Sequence, residues 1–123
     1  LLTHIPEYEL TGFYGKEVDS KGSVFRWSKK ESSLYLCNGN AQNTTTKFSA
    51  KLSAGSSRDM TVNLCVLGSC SSYALGSTAK DIYERLTLPP GCTQMTLSTK
   101  DKAVNAPMDP RTLYFQIKDM AIN

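Results

Sequence analysis

Three short stretches of the sequence contain aromatic or charged residues that could form one binding site. They supply Tyr14 and Glu17, Arg26 and Trp27, and Asp109 and Arg111. A sugar presents flat C–H faces and many hydroxyl groups, so a sugar site combines exposed aromatic rings with carboxylates and guanidinium groups. The six residues are therefore the candidate ligand-binding residues. A structural interpretation is also open, in which Phe25 and Trp27 pack between two sheets. Arg26 then lies on the opposite face and pairs with Glu17 or Asp109.

The sequence contains none of the compact motifs that mark catalytic sites. There is no nucleophile elbow, no phosphate-binding loop and no HExxH motif, and the single histidine, His4, has no matching base and orienting partner. Several carboxylates are available for a glycosidase pair: Glu17, Asp19, Asp59, Asp101, Asp109 and Asp119. Because the sequence defines no distance between any two of them, they indicate no particular reaction. We predict a domain that is not an enzyme and needs no cofactor.

Four cysteines, Cys37, Cys65, Cys70 and Cys92, are the disulfide candidates. They include no CxxC pair and the chain has a single histidine, so we predict no metal site. An even number of cysteines in a Ser/Thr-rich chain favours an oxidising compartment, with four buried thiols in a cytosolic protein as the alternative. Cys65 and Cys70 flank a predicted hairpin turn. This favours pairing 65 with 70 and 37 with 92, although the sequence allows three connectivities.

Length and charge limit the possible classes of protein. A chain of 123 residues predicts one domain, 1–123, with its own core. The net charge of +3 comes from 14 basic and 11 acidic residues that are scattered, which argues against a nucleic-acid partner. No segment approaches the roughly 18 apolar residues of a membrane span. The chain begins at Leu1 rather than methionine, so we expect a piece of a larger protein with its anchor or export signal outside this fragment.

Alternating apolar and polar residues, separated by turn residues every 8 to 12 positions, predict an all-β protein. The nine predicted strands cover residues 8–14, 24–28, 33–37, 47–52, 60–66, 71–75, 82–88, 95–99 and 112–118. A single helical turn is predicted near Thr78. This pattern is typical of an antiparallel β-sandwich, either jelly-roll or immunoglobulin-like. We favour the jelly-roll, because Trp27 precedes every cysteine whereas the immunoglobulin order is Cys, Trp, Cys.

Both ends of the chain resemble a known domain. The opening Gly12 to Glu17, followed by Phe25 to Ser28, and the closing Asp109 to Leu113 resemble the signatures of a β-sandwich domain appended to bacterial envelope glycosyltransferases and phosphoglycerol transferases. In that family a "G-x-x-x-x-E … R-W-S" opening precedes a "D-P-R-x-L" motif that leads into the final strand. The middle of this chain matches only as a pattern of strands.

The resemblance implies an accessory, non-catalytic domain like a carbohydrate-binding module, attached to a membrane-bound catalytic domain and facing away from the cytoplasm. It would bind or orient a cell-envelope carbohydrate or a polyol-phosphate acceptor. The motif residues it carries over are Glu17, Arg26, Trp27, Asp109 and Arg111. The alternative is a structural or protein-interaction sandwich in which the charged residues form a closed, buried ion network. Both hypotheses require the two ends of the chain to lie side by side.

Overall fold

The computed structural model describes residues 7–55, 59–104 and 106–123 of the chain, with side chains from residue 10 onward in those ranges. These ranges contain nine β-strands: β1 (Glu7–Phe13), β2 (Glu17–Val18), β3 (Val24–Asn38), β4 (Thr44–Ser53), β5 (Met60–Val66), β6 (Ser69–Leu75), β7 (Lys80–Leu88), β8 (Gly91–Ser98) and β9 (Gln116–Ile122). Within the same ranges, no helix is long and apolar enough to span a membrane.

The strands form two antiparallel sheets that share β3. The first sheet has the order β6-β5-β8-β3-β1, and the second has the order β7-β4-β9-β3-β2. Residues Glu31 to Asn38 of β3 pair with β8 in the first sheet, whereas the segment around Phe25 pairs with β2 and β9 in the second. This two-layer arrangement confirms the predicted all-β, antiparallel, jelly-roll-like sandwich of nine strands.

The prediction of separate strands at 24–28 and 33–37 is wrong, because the chain forms one strand of 15 residues there. Lys29, Lys30 and Glu31, which lie between the two predicted strands, are exposed where β3 passes from one sheet to the other. Charged residues do not end a strand when their side chains face solvent. Buried Ser28 keeps the strand paired at this crossing: its N–H donates to Phe115 O at 2.7 Å, and its Oγ accepts the Phe115 N–H at 3.1 Å.

Two other local predictions differ from the structure. The helical turn predicted near Thr78 is not formed, and residues 76–79 connect β6 to β7 without a helix. The last strand runs later than the predicted 112–118, since β9 covers Gln116–Ile122. Leu113, Phe115 and Ile117 are nevertheless buried as predicted, because the chain is already extended beside Ser28 before β9 begins. The predicted bounds of β5, 60–66, are confirmed.

The hydrophobic core fills the space between the two sheets. Phe48 and Phe115 are its largest fully buried side chains. Phe13 from β1 packs edge-on against Phe115 with ring centroids 6.4 Å apart. Burying each side chain of this size contributes about 1.5–3 kcal/mol, so the alternation of apolar residues determines which face of each strand turns inward.

Two disulfides lie within the first sheet, and both match the favoured pairing. Cys37 of β3 is bonded to Cys92 of β8, and Cys65 of β5 is bonded to Cys70 of β6 across a tight turn. Each bonded pair consists of residues directly opposite each other on neighbouring strands. Leu67 and Gly68 form that turn with φ of 51° and 78°. The alternative of four buried thiols is therefore wrong.

Candidate functional site

The two ends of the chain meet at Arg111, which lies in the loop between β8 and β9. Its Nη1 donates to Glu17 Oε2 at 2.8 Å, and its Nη2 donates to Asp109 Oδ2 at 2.7 Å. The side chains of Arg111, Glu17 and Asp109 keep 31, 34 and 26% of their accessible surface. The expected proximity of these three residues is therefore present. The cluster is half-exposed, however, and is not the buried ion network of the alternative hypothesis.

Local turn chemistry positions Asp109 and Arg111. The Asp109 N–H donates to Ala106 O at 2.9 Å, which closes a turn over Pro107. The Arg111 N–H then donates to Asp109 Oδ1 at 2.9 Å, so the Asp109 carboxylate bonds both the backbone and the side chain of Arg111. Proline at 107 and 110 restricts φ and prevents this segment from becoming helical. The loop therefore holds the guanidinium group in a defined orientation.

Tyr14 lies between two cations on the same surface. The Arg111 Cζ atom is 5.0 Å from the centroid of the Tyr14 ring, and Lys29 Nζ is 5.3 Å from it. The Tyr14 hydroxyl donates to Thr112 O at 3.2 Å. A cation above an aromatic face is attracted by the ring quadrupole, so these contacts fix the plane of the ring. Tyr14 thus forms one wall of the Arg111 cluster.

Trp27 and Phe25 lie on the outer face of the second sheet. Glu17 is directly opposite Phe25, and Phe25 is directly opposite Lys118 on the other side. Directly paired residues place their side chains on one face of a sheet, so Phe25 and Trp27 share the face that carries Glu17. Their rings meet edge to face, with centroids 6.4 Å apart and an interplanar angle of 83°. Both side chains are half-buried.

The structure places the side chain of Arg26 on the face opposite to Glu17 and Trp27. Arg26 is directly opposite buried Ile117, so its side chain points to the inner face of the second sheet. Its Nη1 donates to Tyr14 O at 3.2 Å, and it forms no ion pair with any residue that the structure describes. The proposed pairing of Arg26 with Glu17 or Asp109 is wrong, because Arg111 occupies both carboxylates. Strand alternation places Phe25 and Trp27 on the face opposite to Arg26 and Ile117, so their proposed packing between the sheets is wrong, although Trp27 still packs against the hydrophobic core.

Hydrogen bonds favour the ionised forms of Asp109 and Asp19. Hydrogen bonds from the Arg111 side chain and backbone lower the pKa of Asp109 to about 2. The two carboxylates raise the pKa of Arg111. The backbone N–H of Ser23 lowers the pKa of Asp19, and the N–H of Lys21 and the Lys118 ammonium add to this effect. An ionised carboxylate only accepts hydrogen bonds, so the surface offers fixed acceptors to hydroxyl groups.

Two residues that shape this surface, Lys29 and Lys118, were not among the predicted site residues. Lys29 covers Tyr14, and Lys118 lies over Phe25 with its Nζ 5.9 Å from the ring centroid. Lys118 Nζ is also 3.2 Å from Asp19 Oδ2. Position 29 is two residues from Trp27, so strand alternation places it on the same face. Lys118 had no comparable signal, because only the pairing of β3 with β9 brings it to Phe25.

The side chains of this surface suit an organic ligand better than a metal ion. Within the described residues, no group of three or more His, Cys, Asp or Glu side chains is placed to hold a metal ion. What the site combines is an aromatic pair, Phe25 and Trp27, with the ring of Tyr14 and the carboxylates held by Arg111. Rings of this kind pack against the C–H faces of a sugar, and the carboxylates accept from its hydroxyls.

Comparison with known proteins identifies the class of fold. The chain is similar in fold to a family 35 carbohydrate-binding module from Clostridium thermocellum, with a TM-score of 0.54 and 7% identity over 94% of this chain and 90% of that one. It is also similar to a Xyl-CBM35 module in complex with a glucuronic acid containing disaccharide, with a TM-score of 0.53 and 12% identity over 93% and 91% of the two chains.

A third similar structure contains more than one module. The CBM22-1–GH10 modules of the Clostridium thermocellum endo-1,4-β-D-xylanase 10B, complexed with xylohexaose, match with a TM-score of 0.54 and 13% identity. The match covers 94% of this chain but 25% of the xylanase chain. No protein-family model matches the sequence, and no curated protein matches it. The fold is thus that of the β-sandwich carbohydrate-binding modules.

Proposed function

We propose that this domain is a non-catalytic carbohydrate-binding module whose binding surface is the outer face of the second sheet. The observation that carries the proposal is the continuous surface formed by Trp27, Phe25, Glu17, Arg111 and Tyr14. Each member contacts or directly pairs with the next. The carbohydrate-binding modules of the same fold support the choice of a sugar as ligand.

The aromatic residues supply the contact area of this surface. Gly55 lies so close to Trp27 that a Cβ atom at position 55 would be 2.5 Å from Trp27 Cη2. The absence of a side chain there leaves room for the indole on the outer face. Aromatic rings bury a large area and keep few degrees of freedom, so they bind a sugar ring at a small cost in conformational entropy. Trp27 is the residue from which we expect the largest contribution.

The charged residues provide orientation. The guanidinium group of Arg111 is bonded to Glu17 and Asp109, so both carboxylates are held in place before a ligand arrives. Acceptors that are already ordered lose little freedom on binding. Lys29 is exposed beside Tyr14 and forms no ion pair with any described residue, which supports a ligand with negative groups next to its hydroxyls.

At a finer level, we propose that the ligand is a cell-envelope glycan or a polyol-phosphate acceptor. The domain would hold this acceptor for an attached membrane-bound glycosyltransferase or phosphoglycerol transferase. The basis is the resemblance of the Gly12 to Glu17 and Asp109 to Leu113 motifs, together with the ammonium group of Lys29, which has no ion-pair partner among the described side chains. The two disulfides support an extracytoplasmic location, because they persist in oxidising compartments.

A glycan array tests the proposal most directly. We expect the wild-type chain to bind a subset of envelope glycans or glycerol-phosphate oligomers, and Trp27→Ala to lose at least tenfold in affinity for the same ligands. Loss of one central aromatic side chain typically costs 2 kcal/mol or more in binding, which exceeds a factor of ten. Arg111→Gln should weaken binding as well, because it releases the two carboxylates.

Tyr83→Ala is the matched control. Tyr83 is 55% exposed on β7, at the opposite edge of the same sheet, so its removal should leave the array profile unchanged. Circular dichroism of each variant shows whether it is folded. An array on which the wild-type chain binds no glycan and no glycerol-phosphate oligomer contradicts the proposal. Equal loss of affinity in Trp27→Ala and Tyr83→Ala contradicts the choice of surface.

One observation favours a second function. All three guanidinium nitrogens of Arg111 already have hydrogen-bond acceptors within the cluster, since Nε, Nη1 and Nη2 all donate to Glu17 or Asp109. A cluster of this kind also joins the two ends of the chain, as a structural or protein-interaction sandwich requires. Under that function Arg111→Gln lowers the melting temperature, and the wild-type chain binds no glycan on the array. The two measurements together distinguish the two functions.

A further inference from the structure

A cleft lies beside β3 and β9 and shares Phe25 and Lys118 with the surface described above. It has a volume of about 330 Å³ and is bordered by Leu10 of β1, Val24 and Arg26 of β3, and Ile117 and Met120 of β9. Leu10 belongs to the first sheet and Ile117 to the second, so the cleft opens between the two layers. Its size falls in the range of pockets that bind small molecules.

Two cations border this cleft, and neither has a carboxylate partner among the side chains that the structure describes. Within that set, Arg26 donates once, to Tyr14 O, and neither Arg26 nor Lys16 forms an ion pair. The other charged residues at the rim are already paired: Lys118 with Asp19 and Asp119 with Lys51. A half-buried guanidinium group normally has an anionic partner. The unused donors of Arg26 therefore point to an anion as the missing partner.

The remaining walls are apolar. Leu10 and Met120 are half-buried, and Ile117 is buried at the base. At the rim, Val24 is 47% exposed and lies directly opposite Val18, which is 66% exposed. Apolar surface is therefore accessible at the edge of the cleft. A site with two cations and an apolar wall suits a molecule that has a negative group at one end and a hydrocarbon surface at the other.

We propose that this cleft binds a small amphipathic anion, with its carboxylate or phosphate group on Arg26 and Lys16 and its apolar part against Leu10, Val24 and Met120. Arg26, which binds the anion, and Trp27, the main aromatic residue of the proposed glycan surface, project from opposite faces of the second sheet, although Phe25 borders both sites. Binding here does not depend on the function proposed for the outer face.

Titration of the ¹⁵N-labelled chain by NMR tests this site. The probes are hexanoate, hexyl phosphate, the neutral analogue hexanol, and inorganic phosphate. We expect saturable shifts of the amides of Leu10, Arg26 and Met120 with the two amphipathic anions. Hexanol and inorganic phosphate should each bind at least tenfold more weakly, because hexanol lacks the negative charge and inorganic phosphate lacks the apolar chain. The ratio of hexanoate to hexyl phosphate affinity identifies the preferred anionic group.

Variants assign the binding to the cleft. Arg26→Gln should reduce hexanoate affinity about tenfold, the effect of losing one hydrogen bond to a charged group. Lys16→Gln should also reduce it and is exposed, so it tests the site even if Arg26→Gln does not fold. Lys30→Gln is the control, since Lys30 is exposed on β3 and does not border the cleft. Arg111→Gln should leave hexanoate binding unchanged.

Three results would overturn the assignment. The first is the absence of saturable shifts with hexanoate and with hexyl phosphate up to their solubility limits. The second is hexanol binding as tightly as hexanoate, which removes the role of charge. The third is wild-type hexanoate affinity in Lys16→Gln and in a folded Arg26→Gln. Glycan binding by the outer face is measured separately with Trp27→Ala, so failure at one site leaves the other result intact.

Discussion

Arg111 and Glu17 are 94 positions apart in the sequence, and their guanidinium and carboxylate groups are 2.8 Å apart in the fold. This ion pair joins the second strand to the loop that precedes the last strand. Because both side chains keep about a third of their surface in water, solvent screens the pair and its contribution to the stability of the whole domain is modest. Its main effect is to hold the loop and the neighbouring Tyr14 in one arrangement.

The first prediction concerns acid. The pKa of Asp109 is about 2 in the folded chain, below the value of about 3.9 for an unfolded aspartate. A group with a lowered folded pKa stabilises the fold fully above its unfolded pKa and loses that effect as the pH falls through its folded pKa. Asp109→Asn should therefore destabilise the domain at pH 6, with a difference from wild type that decreases between about pH 4 and pH 2. Urea unfolding at several pH values measures this.

An NMR titration of the Asp109 carboxyl carbon supplies the control for that experiment. In Arg111→Gln the midpoint should return toward the ordinary aspartate value, because the Arg111 side chain is the largest cause of the low pKa. A midpoint near 4 in the wild-type chain would contradict the described pairing.

The second prediction separates the two disulfides. Cys37 and Cys92 are 55 positions apart, whereas Cys65 and Cys70 are 5 positions apart. In the chain-entropy account, a cross-link over the longer loop stabilises by about 4 kcal/mol and one over the shorter loop by about 2 kcal/mol. We expect Cys37→Ala with Cys92→Ala to lower the free energy of unfolding by more than Cys65→Ala with Cys70→Ala. Denaturant unfolding of both double variants measures the difference, and the reverse order would contradict the prediction.

The third prediction concerns Gly12, which lies where the pairing of β1 with β3 shifts register between Thr11 and Phe13. Gly12 has a φ of 78°, and a Cβ atom there would collide with Glu31 O and lie 2.7 Å from Ser32 Cα. Both atoms are backbone and cannot move without breaking the pairing of β1 with β3. Gly12→Ala should therefore cost about 1–3 kcal/mol more than Gly22→Ala. Gly22 is the matched control, because it has a φ of 83° but no atom within 4 Å of an added Cβ. Equal thermal unfolding of the two variants would rule out the collision.

The fourth prediction uses Trp27, the single tryptophan of the chain, as a probe. Its half-buried indole should be quenched by acrylamide in the free domain and protected when a glycan binds. Gly55→Ala places a Cβ atom 2.5 Å from Trp27 Cη2, so it should displace the indole, shift its emission and weaken glycan binding about tenfold. Gly39→Ala serves as the control, since open space surrounds Gly39. Quenching that a bound glycan leaves unaltered would remove Trp27 from the site.

Local patterns predicted much of the architecture. Val62 and Leu64 alternate with polar residues, and both are buried in β5 as expected. The cysteines flanking the turn at Gly68 predicted the pairing that the structure contains. These features depend on neighbours within a few residues along the chain. Such short-range constraints can be recognised directly in the sequence.

The length of β3 was not predictable in the same way. Lys29, Lys30 and Glu31 have the composition of a turn, but β3 continues through them because it pairs with strands of both sheets. Pairing with β8 on one part and with β9 on the other supplies the backbone hydrogen bonds that local composition does not indicate. Likewise, β2 is too short to produce a pattern and forms because Glu17 and Val18 pair with β3.

By itself, the sequence determined the sandwich of alternating strands. It also favoured the observed disulfide pairing among three connectivities and led us to expect Glu17 near the Asp109 to Arg111 loop. Only the tertiary structure decided which face of β3 turns inward. Strand alternation places Arg26 on one face of β3 and Phe25 and Trp27 on the other, but it does not show which of the two faces is buried. The pairing of Arg26 with buried Ile117 identifies the Arg26 side as the inner face. That choice leaves Glu17 and Asp109 to Arg111 and puts Arg26 on the opposite face of the sheet. Side-chain partners across the sheets depend on strand register, which is a long-range property.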